Sequence, residues 1–374
     1  MIEGLEKLLD GRGERGLDEL RGLLEELFAE PNGAARLLGD EALGARKKPV
    51  FRLRFDINGR TRSVVIKRLK PEVARRTELV VKRWLPAIDL DHGAMPLLGS
   101  VAARSGLRTW HIYEDLGAHE LDPVHPDRER VRAAIDLIAQ MHTRFAGHPL
   151  LGEVRTHGGD YGMRFYEANV RDAIHALEAL PPAPPHQALR DRLLGRLYRL
   201  HDETPSRAAA LASLGLPETL LHGDLWSINV FVTPTETALE PCLIDWDHAG
   251  VGPFTYDLST LLVRFPAPHR AWMLELYRQA VAQAGWRLPP LETLNLIFET
   301  HEFARYAQSI IWPAIDIVVD GGVWGFEALE EIDGWFETFD ACSDWHDAVQ
   351  ASRPGLVHPA APDRDGPTIE LLNA

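Results

Sequence analysis

The chain has 374 residues, 25% of them charged and 45% hydrophobic, with a formal net charge of -15, which suits a globular protein of about two domains. No apolar run approaches the ~20 residues a membrane span needs. Two cysteines are too few for a disulfide framework, and the acidic balance disfavours nucleic acid while favouring cationic small molecules.

Residues 1–6 lack the basic and apolar regions of a signal peptide, so a cytoplasmic protein is expected. Leu17, Leu20, Leu23, Leu24, Leu27 and Phe28 recur at helical spacing. They predict an amphipathic helix over 17–29, packed on the following sheet or on a partner chain. Phe51, Leu53, Phe55 and Ile57 alternate with Arg52, Arg54 and Asp56, the period of a half-buried strand over 50–57. Asn58-Gly59 then signals a tight hairpin, because both residues tolerate positive φ. The returning strand, 61–68, carries Lys67 on the same face as Val65. Pro71 opens a helix near 72–85, and strands near 95–103 and 108–115 complete a small sheet.

The character of the chain changes at Gly117. Val131, Ala134, Ile135, Ile138, Met141, His142 and Phe145 mark one buried helical face. Four prolines within 181–185 break the helical run. Further helices are expected at 186–202, 256–264, 268–284, 290–312 and 325–350. The segment 312–316, with Pro313, is expected to interrupt a helix and line a cleft. The tail from Ser352, rich in Pro, Asp and Gly, is expected to be irregular.

The densest chemistry lies at His222-Gly223-Asp224-Leu225-Trp226-Ser227-Ile228-Asn229, with Asp245 sixteen positions beyond Asn229. The apolar runs 220–221, 230–232 and 242–244 frame these residues as loop, hairpin and loop, and Cys242 reads as packing within a strand. Such a scaffold can bring Asp224, Asn229 and Asp245 to one place. Phosphoryl transfer requires such a set: a carboxylate to accept the proton of the attacking hydroxyl, and oxygen ligands to hold magnesium on the phosphates. The sixteen histidines form no His-Glu-x-x-His motif, and no Gly-x-Ser-x-Gly elbow surrounds Ser227. His248 reads as a surface turn residue.

His-x-Asp-x-x-x-x-Asn followed by Ile244-Asp245-Trp246 resembles the catalytic and metal-binding segments of the aminoglycoside phosphotransferase and choline kinase family. Gly223 and Trp246 stand where protein kinases carry Arg and Phe, and residues 250–258 look like the segment that follows in the family. The resemblance implies an α+β, bilobal protein-kinase-like fold. Its small N-terminal antiparallel-sheet lobe would span 1–116, with a helical extension over 1–40, and its larger, mainly helical C-terminal lobe 117–374. It implies ATP or GTP as phosphate donor, Asp224 as catalytic base, and Asn229 and Asp245 as Mg2+ ligands, with Asp247 as a water-mediated contact. Lys67 would be the phosphate-binding lysine, steadied by Glu78 or, as the competitor, Glu72. Backbone groups near Glu114 and Leu116 would meet the base, and His142 and His222 would be structural. The loop before Phe51 departs from the usual pattern. Over 43–50 it offers one glycine and three consecutive cations, which suit either a phosphate cover or a solvated turn.

The acceptor implied is a small-molecule hydroxyl compound, aminoglycoside-like or otherwise cationic or sugar-like. Glu299, Glu302, Asp316 and Asp320, with Trp312, Trp324 and Trp335, are the candidate contacts. Choline-like or sugar metabolites and a non-catalytic nucleotide-binding role are the competing readings. Gly223 and the lack of an Ala-Pro-Glu segment argue against a protein substrate. The sequence does not choose between monomer and homodimer.

Overall fold

The computed structural model describes residues 2–12, 16–28, 35–43, 50–181, 186–322, 324–339 and 342. The basic loop 44–49, most of the proline-rich stretch and the tail from Ser352 lie outside the described residues. The chain divides into two compact units, Met1–Gly159 with His222–Gly250, and Asp160–Leu221 with the residues from Val251 onward.

The first unit is built on a six-stranded sheet. Its strands are β1 (Ile2–Glu3), β2 (Ala35–Ala42), β3 (Val50–Ile57), β4 (Arg60–Leu69), β5 (Leu97–Ala102) and β6 (Thr109–Glu114), in the order β1-β2-β3-β4-β6-β5. β3 and β4 pair antiparallel down to Ile57↔Arg60, so Asn58 and Gly59 alone make the turn. Their φ values, 55° and 78°, are those the Asn-Gly signal anticipates. One sheet face, with Phe51, Leu53, Phe55, Val64 and Ile66, packs against α1 (Leu5–Arg12) and α2 (Leu17–Phe28). Phe28 stacks on Phe55 with centroids 5.2 Å apart. The helical stripe thus covers the sheet of its own chain. The region read as a helical extension also contributes β1 and β2. Ala35-Arg36-Leu37-Leu38-Gly39-Asp40-Glu41-Ala42 has no β-branched residue, and its pairing with β3 is interrupted between Leu37 and Gly39, so it carries no period-2 signature.

After β4 comes α3 (Pro71–Leu79), whose last turns widen at Val80–Trp84. α4 (Arg128–Phe145) starts at Asp127, whose side chain accepts from the N–H groups of Glu129 and Arg130. His142 in α4 is fully buried. α5 (Leu151–His157) and the antiparallel hairpin β7 (Val230–Pro234) and β8 (Leu239–Leu243) complete this unit. The hairpin is anchored within it. Leu121 N–H donates to Val230 O at 2.9 Å, Val232 N–H to His119 O at 2.8 Å, and Met95 N–H to Leu243 O at 3.3 Å.

The second unit is helical: α6 (Met163–Glu178), α7 (Gln187–Asp202), α8 (Thr204–Ala212), α9 (Thr255–Val263), α10 (Ala267–Ala282), α11 (Leu291–Asp320) and α12 (Trp324–Thr338). α6, α7, α11 and α12 share one core, with Val170, Leu177, Leu193, Leu197, Ala307 and Ile310 fully buried or nearly so. Here the structure corrects the sequence reading, because α11 runs through Pro313 instead of breaking there. Pro313 and Ala314 are buried, and Gly325 of α12 packs against the Pro313 carbonyl. Tertiary packing of a 30-residue helix offsets the lost hydrogen bond, which alone disfavours the position by about 3 kcal/mol. Among the described residues no helix is long and apolar enough to cross a membrane.

Leu53 and Ile310 are fully buried, one in each core. Leu53→Ala and Ile310→Ala should each cost about 2–5 kcal/mol in urea unfolding, and losses under about 1 kcal/mol would contradict the packing described.

Candidate active site

The site is assembled inside the first unit from two loops and one strand. The loop after residue 221 is shaped by His222, which is completely buried. Its Nε2 lies 2.7 Å from Ile244 O, and the backbone N–H of Asp224 points to its Nδ1 at 3.3 Å. An imidazole protonated on Nε2 satisfies both contacts, donating to the carbonyl and accepting from the amide. One ring therefore ties the loop of Asp224 to the strand end that delivers Asp245. Trp246 packs against the same ring at 4.6 Å.

Gly223 has φ +83°, and a Cβ there would collide with the backbone carbonyl of His248. The arginine that protein kinases carry at this point has no room. Asn229 sits in the short turn Ser227–Asn229 and is buried. Its Nδ2 donates to Asp224 O at 2.9 Å, and its own carbonyl accepts from Ile244 N–H at 3.0 Å. The first bond holds the amide nitrogen on the loop, so Oδ1 is the side-chain atom that could meet a metal. Asp245 has φ +63°, the left-handed conformation that short polar side chains tolerate best. Its side chain is 35% exposed.

Lys67 reaches this turn from β4. Its Nζ lies 2.5 Å from Asp245 Oδ1 and 2.8 Å from Asp247 Oδ2. Burial alone would lower the ammonium pKa, but the two carboxylates override it and raise it. Burial and the neighbouring Asp245 charge push Asp247 up to about 6, with Lys67 pulling the other way. His248 is half-buried rather than a surface residue. Burial lowers its pKa, while the nearby Asp224 and Asp245 carboxylates oppose that shift.

The expected Lys67–Glu78 pair is not formed. Glu78 Oε1 instead accepts from Ser100 Oγ at 2.6 Å and lies 3.4 Å from His111 Nε2, with Lys82 3.9 Å from its other oxygen. His111 lies directly across from Lys67 in the β4–β6 pairing. Burial lowers the His111 pKa to about 4, and its Nδ1 is 2.8 Å from the Tyr113 hydroxyl.

At the expected hinge, β6 ends at Glu114, which is exposed, and Leu116 follows half-buried. The sequence reading missed Asp115 between them. Its carboxylate accepts from Ser63 Oγ at 2.6 Å and Arg52 Nη2 at 3.1 Å, and Gly117 N–H donates to it at 3.1 Å. Burial favours the protonated acid, but these bonds reverse it and hold the pKa below the usual carboxylate range. Arg52 also pairs with Glu41, so the hinge is tied across β2, β3 and β4. No local signal singles this contact out, because Arg52 is one of three charged residues that alternate along β3.

The remaining candidates lie in the second unit. Glu302 is fully buried, paired with Arg305 and accepting from Ser259 Oγ at 3.0 Å, so it braces helices and is closed to solvent. Glu299 lies 2.5 Å from Arg207. Asp316 is half-buried, and Asp320 is exposed, as is Trp312.

The donor chemistry around Asn229 and Asp245 fits magnesium, which takes hard oxygens and completes its shell with phosphates and water. Among the described residues no three His, Cys, Asp or Glu side chains form a protein cage for a metal. The arrangement offers the half-buried carboxylate of Asp224, two candidate oxygen ligands in Asn229 and Asp245, and the cation of Lys67.

Gly223→Ala should destabilise the protein by about 1–3 kcal/mol through forced positive φ and the carbonyl clash. Thermal unfolding would read this, and an unchanged midpoint would contradict the loop geometry.

The family model described as the phosphotransferase enzyme family matches residues 52–290. No curated protein matches the chain. Among solved structures, an aminoglycoside 2'-phosphotransferase-IIIa in complex with GDP is 16% identical, with a TM-score of 0.54, covering 86% of this chain and 99% of its own. Spectinomycin phosphotransferase with ADP and spectinomycin is 14% identical at a TM-score of 0.52, covering 86% of this chain and 94% of its own. A Plasmodium vivax ethanolamine kinase is 11% identical at 0.50, covering 79% and 81%. At these identities the structures speak for the fold, which is mixed α+β and protein-kinase-like. The matched span covers more than half of the chain, and the chain belongs to the phosphotransferase enzyme family, the small-molecule kinases.

Proposed function

We propose that this protein transfers the γ-phosphate of ATP or GTP to a hydroxyl of a cationic or sugar-like small molecule, aminoglycoside-like in chemistry. One observation carries the reading: Asp224, Asn229, Asp245 and Lys67 belong to one bonded assembly, joined through His222, Ile244 and Asp247. ADP and GDP in the solved relatives are consistent with either donor.

Asp224 orients the acceptor hydroxyl and receives its proton as the bond to phosphorus forms. Lys67 binds the non-transferred phosphates, a task for a compact charge held in place by two carboxylates. Asn229 Oδ1 and Asp245 would hold magnesium, which neutralises charge developing on the phosphate oxygens. Backbone groups at Glu114 and Leu116 meet the base, on a hinge fixed by Asp115. The acidic net charge and the aromatic and acidic groups Trp312, Asp316 and Asp320 favour an amine-bearing acceptor.

Asp224→Ala should lower turnover by about 10²–10⁴-fold while nucleotide binding survives. Asp245→Ala should also abolish the magnesium dependence of that binding. Nucleoside diphosphate release, followed with ATP and GTP across aminoglycosides, choline-like amines and free sugars, reads both effects. Full turnover in Asp224→Ala would refute the assignment. Nucleotide binding with no stimulation by any acceptor would favour a binding role.

A further inference from the structure

We infer that Asp247, rather than Glu78, is the residue that positions Lys67, with Arg76 fixing the turn that carries it; this deepens the phosphotransfer reading and rests on it. A lysine side chain has a flexible four-carbon stem, so its ammonium is useful on a phosphate only if a partner holds it. The helix carboxylate suited to that task is engaged elsewhere, by Ser100 and His111. Two carboxylates of the Asp245-Trp246-Asp247 turn hold the ammonium instead.

Those two carboxylates are not equivalent. Asp245 is 35% exposed, on a left-handed backbone, and carries the candidate metal ligand; Asp247 is only 11% exposed. The backbone of Asp247 is also fixed, since Arg76 Nη1 donates to its carbonyl and Arg76 Nε donates to His157 O at 2.8 Å. Between the two acids, Trp246 is buried and its Nε1 donates to Leu243 O at 3.1 Å, which locks the turn. Asp245, if it holds a metal, would share its charge with that ion. Asp247 then remains as the undivided counter-charge of Lys67. Arg76 stands on α3 two residues before Glu78, so the helix is joined to the site through a guanidinium on backbone carbonyls, not through the usual lysine–glutamate pair.

The test is nucleotide affinity, measured by isothermal titration with ATP and with GTP, each with magnesium and with chelator. Asp247→Asn should weaken binding by about tenfold or more in both conditions, while the affinity ratio between them stays as in wild type. Glu78→Gln should lose less. In a Lys67→Met background, Asp247→Asn should have little further effect, because it acts through the lysine. Asp247→Ser carries the same cycle if the asparagine variant does not fold. Additive losses with Lys67→Met, a larger loss from Glu78→Gln, or loss of the magnesium dependence in Asp247→Asn would overturn the inference alone. A wild-type protein that binds neither nucleotide would overturn the phosphotransfer reading and this inference together.

Discussion

One ammonium between two carboxylates is the interaction on which the rest of the site depends. Asp245 and Asp247 lie two residues apart on a tight turn, where their like charges oppose each other. Lys67 lies within hydrogen-bond distance of both. Its compensation lets an acid as buried as Asp247 stay at this position at all. The cation comes from β4 and the acids from the loop after β8, so the ion pair also fixes the register of a strand against a loop 178 residues away in sequence. That contact joins the sheet and the turn into one chemical unit, beside the backbone bonds that anchor the hairpin.

A second constraint acts through His222. Its two ring nitrogens bind Asp224 N–H and Ile244 O, so the spacing between the candidate base and the candidate metal ligand is set by one rigid ring. Gly223 makes this possible by leaving room for the His248 carbonyl. Asn229 closes the other side, with its amide on Asp224 O and its carbonyl on Ile244 N–H. The loop holds its shape through side-chain and backbone bonds among its own members and to Ile244. Its candidate acid–base and metal groups are therefore preorganised, which is the main contribution a protein makes to phosphoryl transfer.

Much of this was legible in the sequence because local signals and global pairing agree there. Asn58-Gly59 fixes its own hairpin, and the strand alternation around it puts Lys67 on the half-buried face. The loop motif needs its glycine and its asparagine for reasons that are local. What was not legible depended on distant partners. Glu78 has the right place on its helix, but His111 and Ser100, contributed by other strands, claim its carboxylate. Pro313 is a helix breaker by itself and is overruled by the packing of α11 on its neighbours. β2 lacks alternation because it is an outer strand with an interruption. Some signals were simply left unread. Tyr166, Val170, Ala173, Ile174 and Leu177 recur at helical spacing and form the buried face of α6. Arg52, Ser63 and Asp115 come from two strands and a turn far apart in sequence, and they meet.

The family match fixes the class of enzyme but not the acceptor, and the acids proposed for it divide on burial. Glu302 belongs to the internal bracing of the helical unit. Asp316 and Asp320, near the end of α11, keep some exposure. Trp312 stands one turn before Asp316 on the same helix and is exposed.

We propose that the assembly of Lys67, Asp224, Asn229 and Asp245 moves a phosphoryl group to a small-molecule hydroxyl. Phosphorus NMR of the wild-type protein with magnesium, ATP or GTP and an amine-bearing polyol tests it most directly. A new phosphate-ester resonance on the acceptor, growing as the γ-phosphate signal falls and absent without magnesium, is the predicted result. Nucleotide consumption that yields only inorganic phosphate with every acceptor, or phosphate found on a peptide instead, would contradict it.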